Sequence, residues 1–400
     1  MQVTADLTRK ETSVQLPMFI IIRTVINTMI RMVYPFLSFF SRGLGVDLAA
    51  LSYALSLRSL AGLVGPLIAS VADSRGRKTG MLLGGFLFTL GVGLVAIWPI
   101  YPVFVLTLVL TILGNFIFIP SMQAYLGDRI SYQRRGRALA LVEIGWSLSF
   151  IVGVPAAGYL IAQFGWRSPF PLMTLLGLAA LLVLAWMLPK DGAIPADNRP
   201  NMWRNFRIVL SHKPALAGVA FALLISIGNE VINLVFGVWL EDSFGLKITA
   251  LGVVAAIIGF AELGGEALIS GLVDRLGKHR SVTGGLIFNC LVVTGMAWFG
   301  KVQTGALAGL FLFYLTFEFT LVGSIPIMTE ILPGARATMM AIYIAGMSLG
   351  RAAGASLALP LYHWGQSMTF LPVLLVSALA TVGFNLLALL FLIRIHKATQ

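Results

Sequence analysis

Long apolar runs separated by short polar segments fill almost the whole chain. The hydrocarbon core of a bilayer takes about 20 residues of helix, and the charged, glycine and proline breaks divide the sequence into twelve runs of that length or slightly more. They cover residues 15–41, 48–71, 80–99, 101–126, 138–164, 169–188, 214–242, 248–273, 281–300, 305–331, 337–363 and 367–393. These runs are continuous, whereas barrel strands alternate in hydrophobicity over about ten residues. We therefore predict an all-α integral membrane protein with twelve transmembrane helices, numbered here span 1 to span 12.

The composition supports this class and excludes several others. Charged residues make up 11% of the 400 residues and hydrophobic residues 58%, whereas soluble proteins carry about 25% charged residues. The single cysteine, Cys290, rules out a disulfide framework, and the four histidines lie far apart in the sequence. We therefore predict neither a metal site nor a cofactor. The glycine-rich phosphate loop of nucleotide-driven pumps is missing, so ion or substrate gradients are the expected energy source.

The positions of lysine and arginine predict the orientation, because cytoplasmic loops carry an excess of these residues. With the N-terminus inside, 20 of the 28 basic residues fall in inner segments. Four lie in outer loops (Arg42, Arg167, Lys247 and Lys301) and four lie within spans (Arg23, Arg31, Arg58 and Arg351). We predict a multi-pass protein of the plasma (inner) membrane with both termini cytoplasmic. The same asymmetry explains the net charge of +12 without a nucleic-acid partner.

Two halves of the chain repeat each other at an offset of about 200 residues. The loop Asp73–Lys78 after span 2 corresponds to Asp274–Arg280 after span 8, and Asp128 after span 4 corresponds to Glu330 after span 10. A polar, proline-rich stretch separates the halves. Parallel repeats of six spans are related by an axis along the membrane normal. We predict an N-terminal six-helix half at 1–188, a cytoplasmic linker at 189–213 and a C-terminal six-helix half at 214–400.

Charges inside the spans follow a period of three. A charge in hydrocarbon costs at least about 2.5 kcal/mol and persists where a cavity or a partner accepts it. Counting spans in triplets, such charges occur on the second span of every triplet and on the first span of three triplets (spans 1, 7 and 10), and they are absent from the third span of each. We therefore expect each third span to face lipid and the others to line a cavity. The candidate cavity residues are Arg31, Arg58, Glu143, Glu230, Glu262, Glu266, Glu318 and Arg351.

Individual pairs among these residues have a functional and a structural interpretation. Glu262 and Glu266 lie four residues apart, on one helix face, and two carboxylates in a low dielectric resist ionising together. They are candidates for a proton site, or an arginine such as Arg351 neutralises them. Arg31 is expected to hold an anionic group or to neutralise Glu230 or Glu318 across the cavity. Arg58 and Glu143 are either cavity residues or a plain buried pair.

The loops resemble those of the major facilitator superfamily of secondary transporters. The resemblance rests on Asp73–Lys78, on its echo at Asp274–Arg280, on Asp128-Arg129 followed by Arg135-Gly136-Arg137, and on Gly165-Trp166-Arg167 with Phe170. It covers nearly the whole chain and implies two pseudo-symmetric six-helix bundles around a central cavity. It also implies a cytoplasmic gate in which acidic and basic side chains pair to hold the outward-facing state. The gate residues would be Asp73, Gly76, Arg77, Lys78, Asp128, Arg135, Asp274, Gly277 and Lys278.

The sequence departs from the family pattern at several positions. Ala69 and Ser74 replace a glycine and an arginine of the loop, and Leu110 stands near where many proton-coupled drug exporters carry an arginine. The antiporter signature has adjacent glycine and proline, whereas Val154 precedes Pro155 here. Span 5 nevertheless contains residues that allow close helix packing, namely Gly145, Gly153, Pro155 and Gly158.

We predict a secondary transporter, and not an enzyme, that exports a small amphiphilic or hydrophobic compound in exchange for protons. Similarity to bacterial efflux permeases favours export, and the five carboxylates within spans favour protons. A proton symporter or a uniporter for nutrient uptake is the nearest alternative. An intramembrane enzyme is less favoured, because an enzyme needs a clustered nucleophile and base. A channel or a lipid scramblase is also a less favoured alternative. The expected partners are the solute, protons and the lipid bilayer, and the protein is expected to be a monomer.

Overall fold

The computed structural model describes residues 9–65, 76–189, 202–332 and 336–399, and within these ranges the chain is all helical, without strands. The helices are α1 (Arg9–Arg31), α2 (Leu37–Leu44), α3 (Leu48–Ala61), α4 (Arg77–Ile97), α5 (Tyr101–Arg129), α6 (Tyr132–Leu148), α7 (Val154–Phe164), α8 (Pro169–Met187), α9 (Met202–Ser211), α10 (Lys213–Phe244), α11 (Ile248–Leu276), α12 (Lys278–Phe299), α13 (Gln303–Ile331), α14 (Arg336–Ser367) and α15 (Leu375–Thr399). By length and composition, the described ranges provide eleven membrane spans, or twelve if a bent pair counts as one. The predicted all-α membrane fold is confirmed.

The first predicted run, 15–41, is not one helix. α1 ends at Arg31, and a turn that contains Pro35 separates it from α2. Proline lacks a backbone N–H and its ring collides with the preceding turn, so the helix stops there. α2 then meets the following helical segment at 111°, and the Asp47 side chain caps α3 by accepting a hydrogen bond from the Ala50 amide at 2.7 Å. Span 1 is therefore α1, and the short helix α2 meets the start of span 2 at a sharp angle.

Backbone geometry repeats along with the sequence. Gly76 precedes α4 with φ 107°, and Gly277 precedes α12 with φ 81°. A side chain would be strained at both positions, and glycine is not. Gly45 and Gly245, which end α2 and α10, form a second pair with φ 68° and 63°. The two halves therefore share their turns as well as their loop sequences.

The halves contact each other at one end of the bundle. We call the end that carries the lysine- and arginine-rich loops the basic side, and the opposite end the far side. On the far side, Ser52 and Ser56 of α3 donate hydrogen bonds to the carbonyl oxygens of Ala355 and Ala352 in α14, at 2.5 and 3.0 Å. One apolar core joins both halves there, whereas the basic side of the C-terminal half has a separate core. The halves are therefore closed against each other on the far side.

The span-5 residues predicted to serve helix packing all lie at close helix contacts. Span 5 consists of α6, a π-helical turn at Ser149–Gly153, and α7. A Cβ atom on Gly145 would lie 3.0 Å from a backbone oxygen of α1, and one on Gly153 would overlap a side chain of α1. The neighbours of Gly145, Gly153, Pro155 and Gly158 are, in order, Ile20, Thr28, Gly252 and Phe36.

Part of the predicted linker 189–213 is helical. α9 occupies its second part, and Val209 of α9 is fully buried in the core on the basic side of the C-terminal half. This segment therefore packs as an extension of that half. Residues 190–201 of the linker lie outside the described residues.

Candidate functional site

A cavity of about 420 Å³ lies between the two halves. It is lined by residues of spans 1, 2, 4 and 5 on one side and of spans 7, 8, 10 and 11 on the other. These are the first two spans of every triplet, in agreement with the expectation from the period of three. All eight charged residues predicted as cavity residues line it: Arg31, Arg58, Glu143, Glu230, Glu262, Glu266, Glu318 and Arg351.

The cavity extends from the closed far side toward the basic side. Ala140 near the start of span 5, Ser270 near the end of span 8 and Ile325 near the end of span 10 line it in that direction. At its other end, Tyr34 marks the closed end of the cavity, because the turn that follows it packs against α10. A Cβ atom on Gly237 would lie 2.6 Å from the Pro35 carbonyl oxygen. The cavity is consequently closed on the far side and extends toward the basic side.

Arg31 is the most constrained cation of the cavity. One of its amino groups donates to Glu262 Oε1 at 2.5 Å, and the other donates to the Trp146 carbonyl oxygen at 3.0 Å. Its guanidinium also lies 4.2 Å from the Trp146 ring and 3.4 Å from the Phe150 ring. The expectation that Arg31 neutralises Glu230 or Glu318 is wrong. Its partner is Glu262 of span 8, and the Trp146 carbonyl oxygen near the end of α6, just before the π-helical turn, holds the other amino group.

A second network crosses the halves around Glu230, which is 1% exposed. The Tyr34 hydroxyl donates to Glu230 Oε1 at 2.8 Å and accepts a hydrogen bond from Arg58 at 2.5 Å. The Asn233 amide donates to Glu230 Oε2 at 3.2 Å, and the Tyr314 hydroxyl donates to the Asn233 oxygen at 2.6 Å. Spans 1, 2, 7 and 10 are thereby joined through one buried carboxylate.

Of the two interpretations of Arg58 and Glu143, the structure agrees with cavity residues, since both line the cavity, and they do not pair with each other. Arg58 donates to the Ile30 carbonyl oxygen at 2.8 Å and to the Tyr34 hydroxyl. Glu143 instead forms an ion pair with Arg23 of span 1, and Gln123 donates to it at 3.0 Å. The reason is depth in the membrane, because Arg58 lies level with the end of α1 and Glu143 lies about two turns nearer the basic side.

Three charged side chains of the cavity have no partner within the described part of the chain. Glu266 and Glu318 form no side-chain hydrogen bond or ion pair there, and neither does Arg351. Glu318 is 7% exposed, and Arg31 and Arg351 attract its carboxylate only through space, without a hydrogen bond. Arg23 pairs with Glu143 and Arg31 with Glu262, and Arg58 and Glu230 share the Tyr34 hydroxyl. Among the charged side chains that line the cavity, these three are therefore the ones without a hydrogen-bonded partner in the described residues.

Sequence analysis missed Trp146, Phe150, Tyr314 and Gln123 as residues of the site. Trp146 follows Glu143 by three residues and Phe150 follows it by seven, so both share its helix face. Tyr314 precedes Glu318 by four in the same way. This spacing is the signal that could have identified them, whereas the sequence contains no comparable signal for Gln123.

The gate residues predicted from the loops form pairs within each half. Arg77 donates to Asp128 at 3.2 Å, and Lys278 forms an ion pair with Glu330 at the equivalent place. Lys78 donates to the carbonyl oxygens at the end of α8, Ala185 and Leu188, at 2.6 Å each. Gly76 and Gly277 form the turns described above, and Arg135 lies beside Gly127 at the end of α5. Asp73 and the side chain of Asp274 lie outside the described residues.

The described residues contain no group of three or more His, Cys, Asp and Glu side chains arranged to hold a metal ion.

Comparison with known proteins gives a consistent family. A family model described as Major Facilitator Superfamily matches residues 19–329 and 224–400. An MFS-type transporter of Bacillus subtilis, YceJ, is 24% identical over 334 residues, which cover 82% of this chain and 84% of that protein. A homolog of the multi-drug resistance efflux pump PmrA from Lactococcus lactis is 26% identical over 299 residues, 72% of each chain. These relatives are transporters and not enzymes.

Solved structures share the fold. A bacterial homolog of the human lysosomal transporter Spinster, in an inward-facing and occupied conformation, has a TM-score of 0.76 at 14% identity and covers 98% of both chains. A D-xylose-proton symporter has a TM-score of 0.78 at 15% identity, covering 94% of this chain and 96% of that one.

Proposed function

The chain belongs to the Major Facilitator Superfamily, and on that premise we propose that this multi-pass membrane transporter of small solutes exports an amphiphilic or hydrophobic compound in exchange for protons. Relatives named as multi-drug resistance efflux pumps support export. A cavity that combines aromatic and apolar walls with carboxylates supports an amphiphilic solute.

The ion pair between Arg31 and Glu262 is the observation that carries the proposal. It joins the two halves across the cavity, and both side chains are 5% exposed. Separation of the halves on the far side requires this pair to break, and an uncompensated buried charge is costly. A proton on Glu262 removes one of the two charges. The state of this carboxyl group therefore couples proton binding to the relative position of the halves.

The exchange cycle follows from the effects of the solute and of protons on the Arg31–Glu262 pair. A solute that enters from the basic side binds beside Glu266 and Glu318 and weakens the attraction between Arg31 and Glu262. After the cavity has opened on the far side, the solute leaves Glu266 and Glu318, and Glu262, separated from Arg31, takes up a proton. When the cavity faces the basic side again, Arg31 returns to Glu262 and favours its ionised form, which expels the proton. Groups that face this site from other spans are Arg23, Glu143, Tyr314 and Arg351.

The proposal includes an orientation of the protein in the membrane. The basic side is cytoplasmic, both termini are cytoplasmic and the membrane is the plasma (inner) membrane, because positive residues are retained inside. The structure then corresponds to an inward-facing state of a monomer, with halves 1–188 and 214–400. In the outward-facing state, Asp73 and Asp274 join the basic residues of the gate across the halves.

Proton flux in liposomes tests this function. Purified protein is reconstituted with a pH-sensitive dye in an acidic lumen, and amphiphilic compounds are added one at a time outside. Exchange predicts that a transported compound makes the lumen more alkaline, whereas entry of protons together with the compound would indicate a symporter. Glu262→Gln should abolish the proton signal, since the amide does not titrate. Asp47→Asn, which removes an exposed carboxylate outside the cavity and keeps a side chain that can cap α3, should retain it. Solute movement without any proton signal in the unmodified protein would refute proton coupling.

A further inference from the structure

The unpartnered charges of the cavity lie on two different walls. Glu266 is on α11 and Glu318 is on α13, and the two helices touch there, because a Cβ atom on Gly265 would lie 3.1 Å from Glu318 Cβ. Arg351 is on α14, whose Gly354 packs against Glu230 Cβ of α10. We call the first surface the acidic wall and the second the basic wall. Charges of opposite sign thus face one cavity without being paired with each other.

The other cavity charges are already compensated. Arg23 binds Glu143, and Arg31 binds Glu262. Arg58 and Glu230 are bridged by the Tyr34 hydroxyl. One cation and two carboxylates are left.

A buried amide adds a donor to the basic wall. Asn229 is 9% exposed and lines the cavity, and its Nδ2 has no hydrogen-bond partner in the part of the chain that the structure describes. It lies on α10, the helix that packs against α14 through Gly350 and Gly354. A buried donor without a partner costs free energy. An anionic group bound at Arg351 can accept from Asn229 as well.

We propose that the substrate is a dipolar amphiphile, with an anionic group bound at Arg351 and Asn229 and a cationic group bound at Glu318. This assignment rests on the proposed function and names its substrate class. A simple cation would leave Arg351 unpaired, and a simple anion would leave both carboxylates unpaired, each at a high cost in a medium of low dielectric. A dipolar compound satisfies one group on each wall. Glu262, whose protonation is coupled to its pairing with Arg31, remains to carry the exchanged proton.

The apolar part of the compound has a separate surface. The cavity is also lined by aromatic and aliphatic side chains of spans 4 and 10, which are Ile112, Phe116, Phe317, Leu321, Val322 and Ile325, and the last three lie on the basic side of Glu318. Each CH₂ group buried there contributes about 0.8 kcal/mol. An alkyl chain attached to a dipolar head group fits this arrangement.

Three octyl compounds that differ in the charge of the head group test the assignment. Unmodified protein in lipid nanodiscs is incubated with radiolabelled octylphosphocholine, and octyltrimethylammonium and octyl sulfate compete for binding, with empty nanodiscs as background. We expect the phosphocholine compound to bind about tenfold or more tightly than either singly charged one, a typical effect of losing one buried charge partner. Binding of the ammonium compound as tight as that of the phosphocholine compound would overturn the proposal.

Single substitutions test which wall binds the anionic group and which binds the cationic group. Arg351→Gln should remove the preference for phosphocholine over ammonium, and Glu318→Gln should remove the preference over sulfate. Arg351→Lys should keep the first preference, and Lys301→Gln, which removes an exposed cation outside the cavity, should keep both. Unchanged preferences in monodisperse Arg351→Gln and Glu318→Gln proteins would overturn the assignment. The comparison in the unmodified protein decides the substrate class if a variant does not fold.

The proton assay separates this proposal from the proposed function. If the ammonium compound binds best and also drives proton exchange, the substrate class is wrong and proton-coupled export stands. If the phosphocholine compound binds best and is transported without proton movement, the substrate class stands and proton coupling is wrong.

Discussion

The guanidinium of Arg31 links the halves because it makes several contacts at once. It donates to a carboxylate of α11 and to the backbone of span 5, and two aromatic rings flank it. A planar guanidinium can stack on aromatic rings while its two amino groups donate in different directions, whereas a compact ammonium group has no plane to stack. The role of this residue therefore depends on shape as well as charge.

Arg31→Lys should lower the transport rate about tenfold or more, because the lysine retains the charge and loses the simultaneous contacts to Trp146 and Glu262. The measurement is initial solute flux in proteoliposomes at equal protein content. Arg42→Lys is the matched control, since the Arg42–Glu241 pair at 2.8 Å involves an arginine that is 57% exposed, and exposed pairs contribute little. Wild-type flux in Arg31→Lys would show that charge alone suffices.

At this scale the sequence locates charged residues but does not identify their partners. Every candidate cavity residue was identified by its position inside an apolar run. The partner of Arg31 is 231 residues away, and that separation depends on the order of helices around the cavity. The wrong partner for Arg31 and the two open interpretations of Arg58 and Glu143 both arose because spans alone do not specify depth or neighbours.

At the scale of elements, the π-helical turn of span 5 places the Arg31 site. The turn at Ser149–Gly153 interrupts the regular helix, and the Trp146 carbonyl oxygen accepts hydrogen bonds from both Arg31 and Ser149. π-Helical turns are rare and occur frequently at functional sites. The close approach of Gly153 to Thr28 keeps this turn against α1.

Gly153→Ala should destabilise the protein by about 1–3 kcal/mol, since its methyl group would overlap Thr28 in a packed interface. The melting temperature of the purified protein and the solute flux should both fall, and Thr28→Ala in the same chain should restore part of each. Gly284→Ala is the control, because no atom lies within 4 Å of its added Cβ. If Gly153→Ala matched Gly284→Ala in stability and flux, the turn would not depend on this contact.

Hydrophobic runs predict where helices lie, and their interruptions are predicted less well. The helix break at Pro35 follows from proline chemistry. The prediction lacks it because the apolar run 15–41 continues past the proline without a polar interruption. The π-helical turn could not be predicted from the sequence, because apolar residues indicate which positions are buried. They say little about whether a backbone N–H bonds to the fourth or the fifth preceding residue. Helix α9 was missed because its segment is polar and lies between prolines.

At the scale of the molecule, the two halves form one transporter whose cavity opens on one side. Composition, the distribution of basic residues and the repeat predict two six-span halves, and the gate contacts Arg77–Asp128 and Lys278–Glu330 repeat in the structure. The side on which the cavity is open depends on small differences between contacts at its two ends, which the sequence does not reveal.

Labelling tests the proposed sidedness. A cysteine introduced by Ser211→Cys, in a Cys290→Ser background, should react with an impermeant maleimide in inverted vesicles and stay unlabelled in intact cells, because α9 is proposed to be cytoplasmic. The native Arg and Lys distribution favours this result. Labelling of intact cells would place the basic side outside and would reverse the transport direction assigned to the cavity.

If the far-side contacts form a gate, the two halves must separate at α3 and α14 during each transport cycle. The Ser56 and Ser356 hydroxyl oxygens, on opposite halves, lie 3.0 Å apart, so cysteines at these positions are close enough to be joined. Ser56→Cys with Ser356→Cys, in the Cys290→Ser background, should form a disulfide under mild oxidation and lose transport, because the halves can no longer separate there.

A reducing agent should restore flux, and each single variant should transport normally under the same oxidation. Octylphosphocholine should still bind the crosslinked protein, since the cavity stays open to the basic side. A crosslinked protein that transports at the wild-type rate would mean that the halves do not separate at α3 and α14, and that the far-side contacts are not a gate.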